Sequence, residues 1–195
     1  MPLTNGNGGD PLSTELLIRC CAPTLAGLKT GSMYACPYDT RETLLSELRR
    51  LNRLLSPRGL RILPLRFGPD RALLYLFRPE ELARDLQCPH AQRILAEAGY
   101  EDLRPGTCMR CLIERLQNRE DFPHEIGLFL SYPPEDVQGF IDNRARNYKR
   151  ICAWKVYGDE ERAQRTYEQY KKCTESYCRS YRAGKKLEEL VVAIS

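Results

Sequence analysis

The sequence predicts an α+β fold: a single layered domain in which a small mixed or antiparallel sheet of about four or five strands packs against several helices. Three observations carry this reading. Two apolar runs, Leu60–Arg66 and Ala72–Phe77, flank Phe67-Gly-Pro-Asp-Arg71 and read as a hairpin. Leu44, Leu45, Leu48, Leu51 and Leu55 recur at three or four residues, the apolar stripe of an amphipathic helix. Strand-like runs are separated by uneven groups of helices, and no segment repeats.

The elements follow in order. Ser13 or Thr14 can cap a helix over Glu15–Cys21, which Pro23 ends. Met33–Cys36 reads as a short strand. Asp39 or Thr40 opens the helix Arg41–Leu55, stopped by Pro57 and Gly59. After the hairpin, Pro79 stands at a first helical turn, where its missing N–H does no harm. Helices over 79–87, 89–98 and 107–118 are separated by Gly99 and by Pro105-Gly106. The apolar run Ile126–Leu130 is no longer than a strand, and Pro133-Pro134 opens a helix to Asn143. Tyr148–Tyr157 is strand-like, with Ile151, Trp154 and Val156 as its apolar members. Gly158-Asp159 caps the longest helix, Glu160–Arg182, which Gly184 ends. Leu187–Ile194 is apolar and β-branched, and adds an edge strand or a last helical turn.

A length of 195 residues suits one domain of ordinary size, expected over 13–195 behind a flexible, Gly/Asn-rich tail at 1–12. Hydrophobic residues at 42% and charged residues at 29% exclude wholesale disorder. No apolar run approaches the roughly 20 residues that span a bilayer, and no export signal is visible, so a cytoplasmic protein with no membrane partner is expected. The net charge is +4, from 23 Arg and 7 Lys against 26 acids, mostly interleaved as on solvated helix faces. Nine cysteines without an export signal read as thiols, most of them small buried hydrophobes.

Two stretches carry a family likeness: Cys21-Ala-Pro-Thr-Leu-Ala-Gly-Leu-Lys-Thr-Gly31 and Phe122-Pro-His-Glu-Ile-Gly-Leu-Phe-Leu-Ser-Tyr-Pro-Pro-Glu-Asp-Val-Gln-Gly-Phe-Ile141. With Trp154-Lys-Val-Tyr-Gly-Asp159 and the Tyr- and Cys-bearing last helix, the chain resembles the Domain of Unknown Function 3793 family of anaerobic bacteria. The likeness runs over residues 13–182 and implies a small bacterial cytoplasmic protein, with no catalytic or ligand residue to transfer. This chain has Ser131 where similar sequences tend to have Gly.

Four places can carry chemistry. In the Cys21–Gly31 loop, Gly27 and Gly31 let backbone N–H groups approach an anion, and Thr24, Lys29 and Thr30 add donors. The order is wrong for a phosphate-binding loop of the Gly-x4-Gly-Lys-Ser/Thr type, and a Pro/Gly-fixed connection from helix to strand is the plainer reading. At His124-Glu125, the imidazole suits proton transfer near neutral pH and Glu125 can tune it. Position 128 is Leu, which rules out a zincin helix; buttressing of the Pro123–Pro134 segment is the structural alternative. Cys88-Pro-His90 with Cys108-Met-Arg-Cys111 supplies four ligands suited to tetrahedral Zn²⁺; the second pair alone suits redox chemistry, and helical spacing gives the same arrangement by chance. In the last helix Tyr167, Tyr170, Thr174, Tyr177 and Tyr181 share a face amid basic residues, as on a nucleic-acid surface or a Tyr-rich core face.

The leading expectation is a binding or accessory protein for a small molecule or anion. Its pocket joins the Cys21–Gly31 loop to His124–Gly127, with Trp154 and Lys155, and holds Cys21 and His124 within about 10 Å of each other across a cleft. The alternatives are a thiol enzyme with Cys21 as nucleophile and His124 as base, and a nucleic-acid binder using 160–186.

Overall fold

A computed structural model describes residues 13–118 and 122–193; the expected tail at 1–12 lies outside them. The order is α1 Thr14–Leu25, β1 Gly31–Pro37, α2 Arg41–Leu55, β2 Arg61–Phe67, β3 Arg71–Phe77, α3 Pro79–Leu86, α4 Pro89–Glu97, α5 Pro105–Asn118, α6 Ile126–Phe129, α7 Pro134–Asp142, β4 Arg150–Ile151, β5 Lys155–Val156 and α8 Glu160–Arg182. A 3-10 turn, Leu187–Leu190, follows α8. The fold is α+β, with five strands divided between two antiparallel sheets rather than gathered in one.

β3 is the centre of the main sheet, in the order β1-β3-β2. Its Tyr75 faces Met33 of β1 and Leu63 of β2. Strand alternation sends Ala72, Leu74 and Leu76 to one face of β3 and Leu73, Tyr75 and Phe77 to the other. The first face packs with Leu17, Leu25, Leu44 and Leu55 of α1 and α2 and with Leu187 and Leu190. The second packs with α3, α4, α5 and α6 through Leu82, Ile94, Leu112 and Phe129. The sheet therefore separates two apolar cores, and its central strand β3 is buried over most of its length.

β2 is an edge strand, and its exposed backbone is covered. Asn52 of α2 donates to the Ile62 carbonyl at 2.7 Å and accepts from the Ile62 N–H at 2.9 Å. Pro64 removes a donor at the register shift between Pro64 and Arg66, and Gln117 of α5 reaches the Leu65 carbonyl.

α2 and α8 form over the residues that their stripes and caps predict; Thr40 and Asp159 accept from the N–H groups of Thr43 and Arg162. One expectation fails. Pro23 lies inside α1, which continues to Leu25. Pro23 has no N–H for the carbonyl of Arg19, but Arg19 is on the exposed side of the helix. The apolar run at 126–129 forms a helical turn, in which Gly127 packs against Val137 of α7 so closely that a Cβ there would lie 2.8 Å from its Cγ2. Tyr148–Tyr157 holds two two-residue strands around a turn. Ser131 has φ 59°, in the left-handed region that favours glycine. Its hydroxyl accepts from the Thr30 N–H at 2.8 Å, tying the connection before β1 to the one after α6.

Candidate functional site

α6, α7 and the β4–β5 hairpin enclose a cavity of about 420 Å3. Its walls are chiefly apolar: Ile126, Leu130, Tyr132, Val137, Phe140 and Trp154. One buried carboxylate builds it. Asp136, in the first turn of α7, accepts from the Trp154 indole N–H at 2.6 Å and from the backbone N–H groups of Tyr157 and Gly158, each at 2.7 Å. The N-terminal end of a helix favours such a charge, and the three donors occupy it. The clamp sets the indole against Tyr132, with ring centroids 5.0 Å apart. Gly139 lets the Tyr157 side chain approach α7 so closely that a Cβ would lie 2.6 Å from that of Tyr157.

The rim is half polar. His124 is exposed and lies edge-on to Phe140 at 5.1 Å. Lys155 donates to the Ala145 carbonyl at 2.8 Å and sits 4.9 Å from the Tyr148 ring. Phe122 and Ile151, also part of the lining, are 49% and 60% exposed, high values for large apolar side chains. Glu125 points away from this chemistry: it is buried, pairs with Arg115 at 3.0 Å and accepts from the Tyr100 hydroxyl at 3.1 Å. It is a structural ion-pair member and not a proton-transfer partner of His124. Arg115 also donates to the Ala98 carbonyl, so this network anchors the 122–130 segment to α4 and α5.

The Cys21–Gly31 segment does not reach the cavity. Leu28 N–H bonds the Pro23 carbonyl and Gly27 N–H the Thr24 carbonyl, with Gly27 at φ 77°. These are the two bonds of a Schellman cap, which is why glycine stands there. Thr24 and Ser32 share a hydrogen bond of 2.9 Å between buried hydroxyls. Thr30 donates to Asp85 at 2.5 Å. Gly31 lies against Tyr75, whose hydroxyl bonds the Phe129 carbonyl; a Cβ at Gly31 would be 2.7 Å from that carbonyl oxygen. The donors expected to cradle an anion thus serve the cap and the contact with 129–131.

Cys21 is fully buried in the core of α1 and α2, and burial pushes its thiol well above the ordinary range. His124 belongs to the segment that packs on the opposite face of the sheet. The Cys21–His124 cleft is therefore not formed, and an inert structural thiol replaces the expected nucleophile. Lys29 sits between the rings of Tyr132 and Tyr170, 5.5 and 5.9 Å from their centroids. Burial pushes its amine from the ordinary 10.5 down to about 8. In the interval from about 8 to 10.5 the folded chain has released a proton that the unfolded chain still holds, so the charge penalty on folding fades as pH rises. Lys29→Met is expected to gain urea resistance relative to the parent at pH 7, and that relative gain should shrink toward pH 10. An identical difference at both values would refute the burial of this charge. Titrating groups that do not interact with Lys29 are common to both proteins and drop out of the comparison.

Among the described residues no three His, Cys, Asp or Glu side chains are grouped as metal ligands. Cys88 precedes α4, which carries His90, and Cys108 is buried with its Sγ on the Asp102 carbonyl. Burial pushes the Cys108 thiol up to about 11, and Cys111 lies one helical turn further along. In α8, Tyr177 and Tyr181 pack on the first core and Tyr170 on the Trp154 cluster, while Tyr167 is exposed. Most of the tyrosine stripe is occupied by packing rather than open for stacking. No helix among the described residues is long and apolar enough to cross a membrane.

Of the residues singled out in the sequence, His124, Trp154 and Lys155 line one cavity, as does Gly127 of the same segment. Asp136, Tyr132, Phe140 and Ile151 were missed. The signal for Asp136 was only that of an ordinary acid after Pro133-Pro134. The arrangement is that of an α+β protein with an apolar cavity between a helix pair and a small hairpin. The chain belongs to the family described as protein of unknown function, DUF3793, which it matches over residues 17–191. A search of curated proteins finds no match, and neither does a search of solved structures.

Proposed function

We propose that this protein binds a small molecule with an apolar body and an anionic end in the cavity beneath the β4–β5 hairpin. The observation that carries the reading is the chemistry of the enclosure: about 420 Å3 with apolar walls, a size within the ordinary range of ligand pockets. The polar rim groups suit the other end of such a ligand. His124 and Lys155 are there, and the single lining carboxylate, Asp136, already has three donors. Phe122 and Ile151 at the edge are the groups a ligand would cover.

Trp154, the only tryptophan in the chain, reports on the site. Titration with decanoate is expected to change its emission saturably with one site per chain. Ile151→Glu introduces a negative charge at a 60% exposed position, where folding is little affected, and should weaken decanoate binding by roughly tenfold or more. No saturable change, or equal binding by parent and variant, would reject the proposal.

A further inference from the structure

The geometry points to a second binding site, an arginine-lined groove between α2 and β2 that takes a ligand bearing two or more linked phosphates. The groove has a volume of about 670 Å3 and shares no residue with the cavity beneath the hairpin. Arg49 and Arg53 are four residues apart on α2 and occupy adjacent turns of one helix face. Asn52, on the same face, is hydrogen-bonded to both backbone groups of Ile62, and this brings Arg61 at the start of β2 to the same opening.

The charge balance there is one-sided. No acidic residue lines the groove, and the three arginines have neither an ion pair nor a side-chain hydrogen bond among the described residues. Other surface arginines do have partners: Arg50 of the same helix lies 2.8 Å from Glu47, and Arg182 lies 2.9 Å from Glu15. Three arginines lining one groove without counter-charge repel one another, and a multiply charged anion relieves that repulsion. Their planar forks match phosphate oxygens, and linked phosphates present two or three such groups to successive forks. Leu63 and Phe77 give the groove an apolar floor on which a flat ring can rest.

The test uses the full chain, with pyrophosphate and ATP as probes, by calorimetry at about 50 mM salt, where such contacts are weakly screened. Both probes are expected to bind, ATP the more tightly if its ring uses the floor. The triple variant R49Q/R53Q/R61Q should lose affinity by roughly tenfold per guanidinium removed. A matched triple on α8, R165Q/K171Q/R179Q, removes the same net charge elsewhere and should leave binding within about twofold, as expected when only screened long-range charge is lost. All six positions are exposed, so neither triple removes core packing. Absence of binding by both probes, or equal loss in both triples, would overturn the proposal. So would binding of oligothymidylate through these residues with neither probe bound.

Discussion

Asp136→Ala is expected to detach the β4–β5 hairpin from α7 and to cost about 3 kcal/mol or more, because several donors lose one shared acceptor. The carboxylate is 3% exposed and accepts the Trp154 indole and two successive backbone N–H groups. Alanine leaves all three donors without a partner in a place water reaches poorly. Asparagine is the sharper probe. Its volume is nearly unchanged, but its amide turns an N–H₂ toward groups that are themselves donors. The Asn variant should therefore fall close to Ala and not close to the parent. The effect is local before it is global, since the hairpin has only two residues per strand. Trp154 emission should move to the red at lower urea than the far-ultraviolet circular dichroism changes. Coincident transitions at the parent's midpoint would show that the clamp does not hold the hairpin. Decanoate binding should be lost in both variants, since Trp154 forms part of the cavity wall.

Arg78→Met is expected to destabilise the whole chain by about 3 kcal/mol or more, because buried backbone carbonyls lose the charged donor they share. Arg78 is 2% exposed and forms no ion pair among the described residues. Its Nε donates to the Thr24 carbonyl at 2.9 Å, and its Nη2 donates to the carbonyls of Leu25 at 2.9 Å and Val192 at 2.8 Å. The first two are last-turn carbonyls of α1, where helix geometry leaves acceptors unpaired and concentrates negative partial charge. The cation thus replaces the missing N–H groups of the next turn. Val192 also gives its own N–H to the Leu25 carbonyl, so one guanidinium joins α1, the end of β3 and the segment after α8. Met has the length to fill the space but no donor. Lysine keeps the charge without the fork, and should recover only part of the loss. Urea unfolding measures the first effect, and amide exchange near Val192 should quicken in both variants. A midpoint for Arg78→Met equal to the parent's would sink this account.

Much of the architecture was legible because local and global preferences agree. Leu44, Leu48, Leu51 and Leu55 bury on one side of α2, and the helix begins and ends where its cap and Pro57 direct. The paired runs around Gly68-Pro69-Asp70 become β2 and β3, since alternation and turn chemistry point the same way. Residues 126–129 were not legible in this way. An apolar run of four has no period long enough to separate strand from helical turn, and the segment folds as a turn of helix. The Cys21–Gly31 segment misled for a different reason. Glycine, threonine and lysine near a helix end describe an anion cradle and a Schellman cap equally well, and only the 28-to-23 and 27-to-24 bonds tell them apart.

The sequence by itself determined the α+β class, the long helices, the hairpin and the two segments that hold His124 with Gly127 and Trp154 with Lys155. Those follow from periods, caps and turns, which act between residues a few positions apart. Tertiary structure alone decided that Cys21 lies across the sheet from His124, that Asp136 holds Trp154, and that Arg78 closes α1. Each of these joins residues 18 or more positions apart. No local pattern carries such a pairing, because its energy arises only when packing has already removed both groups from water.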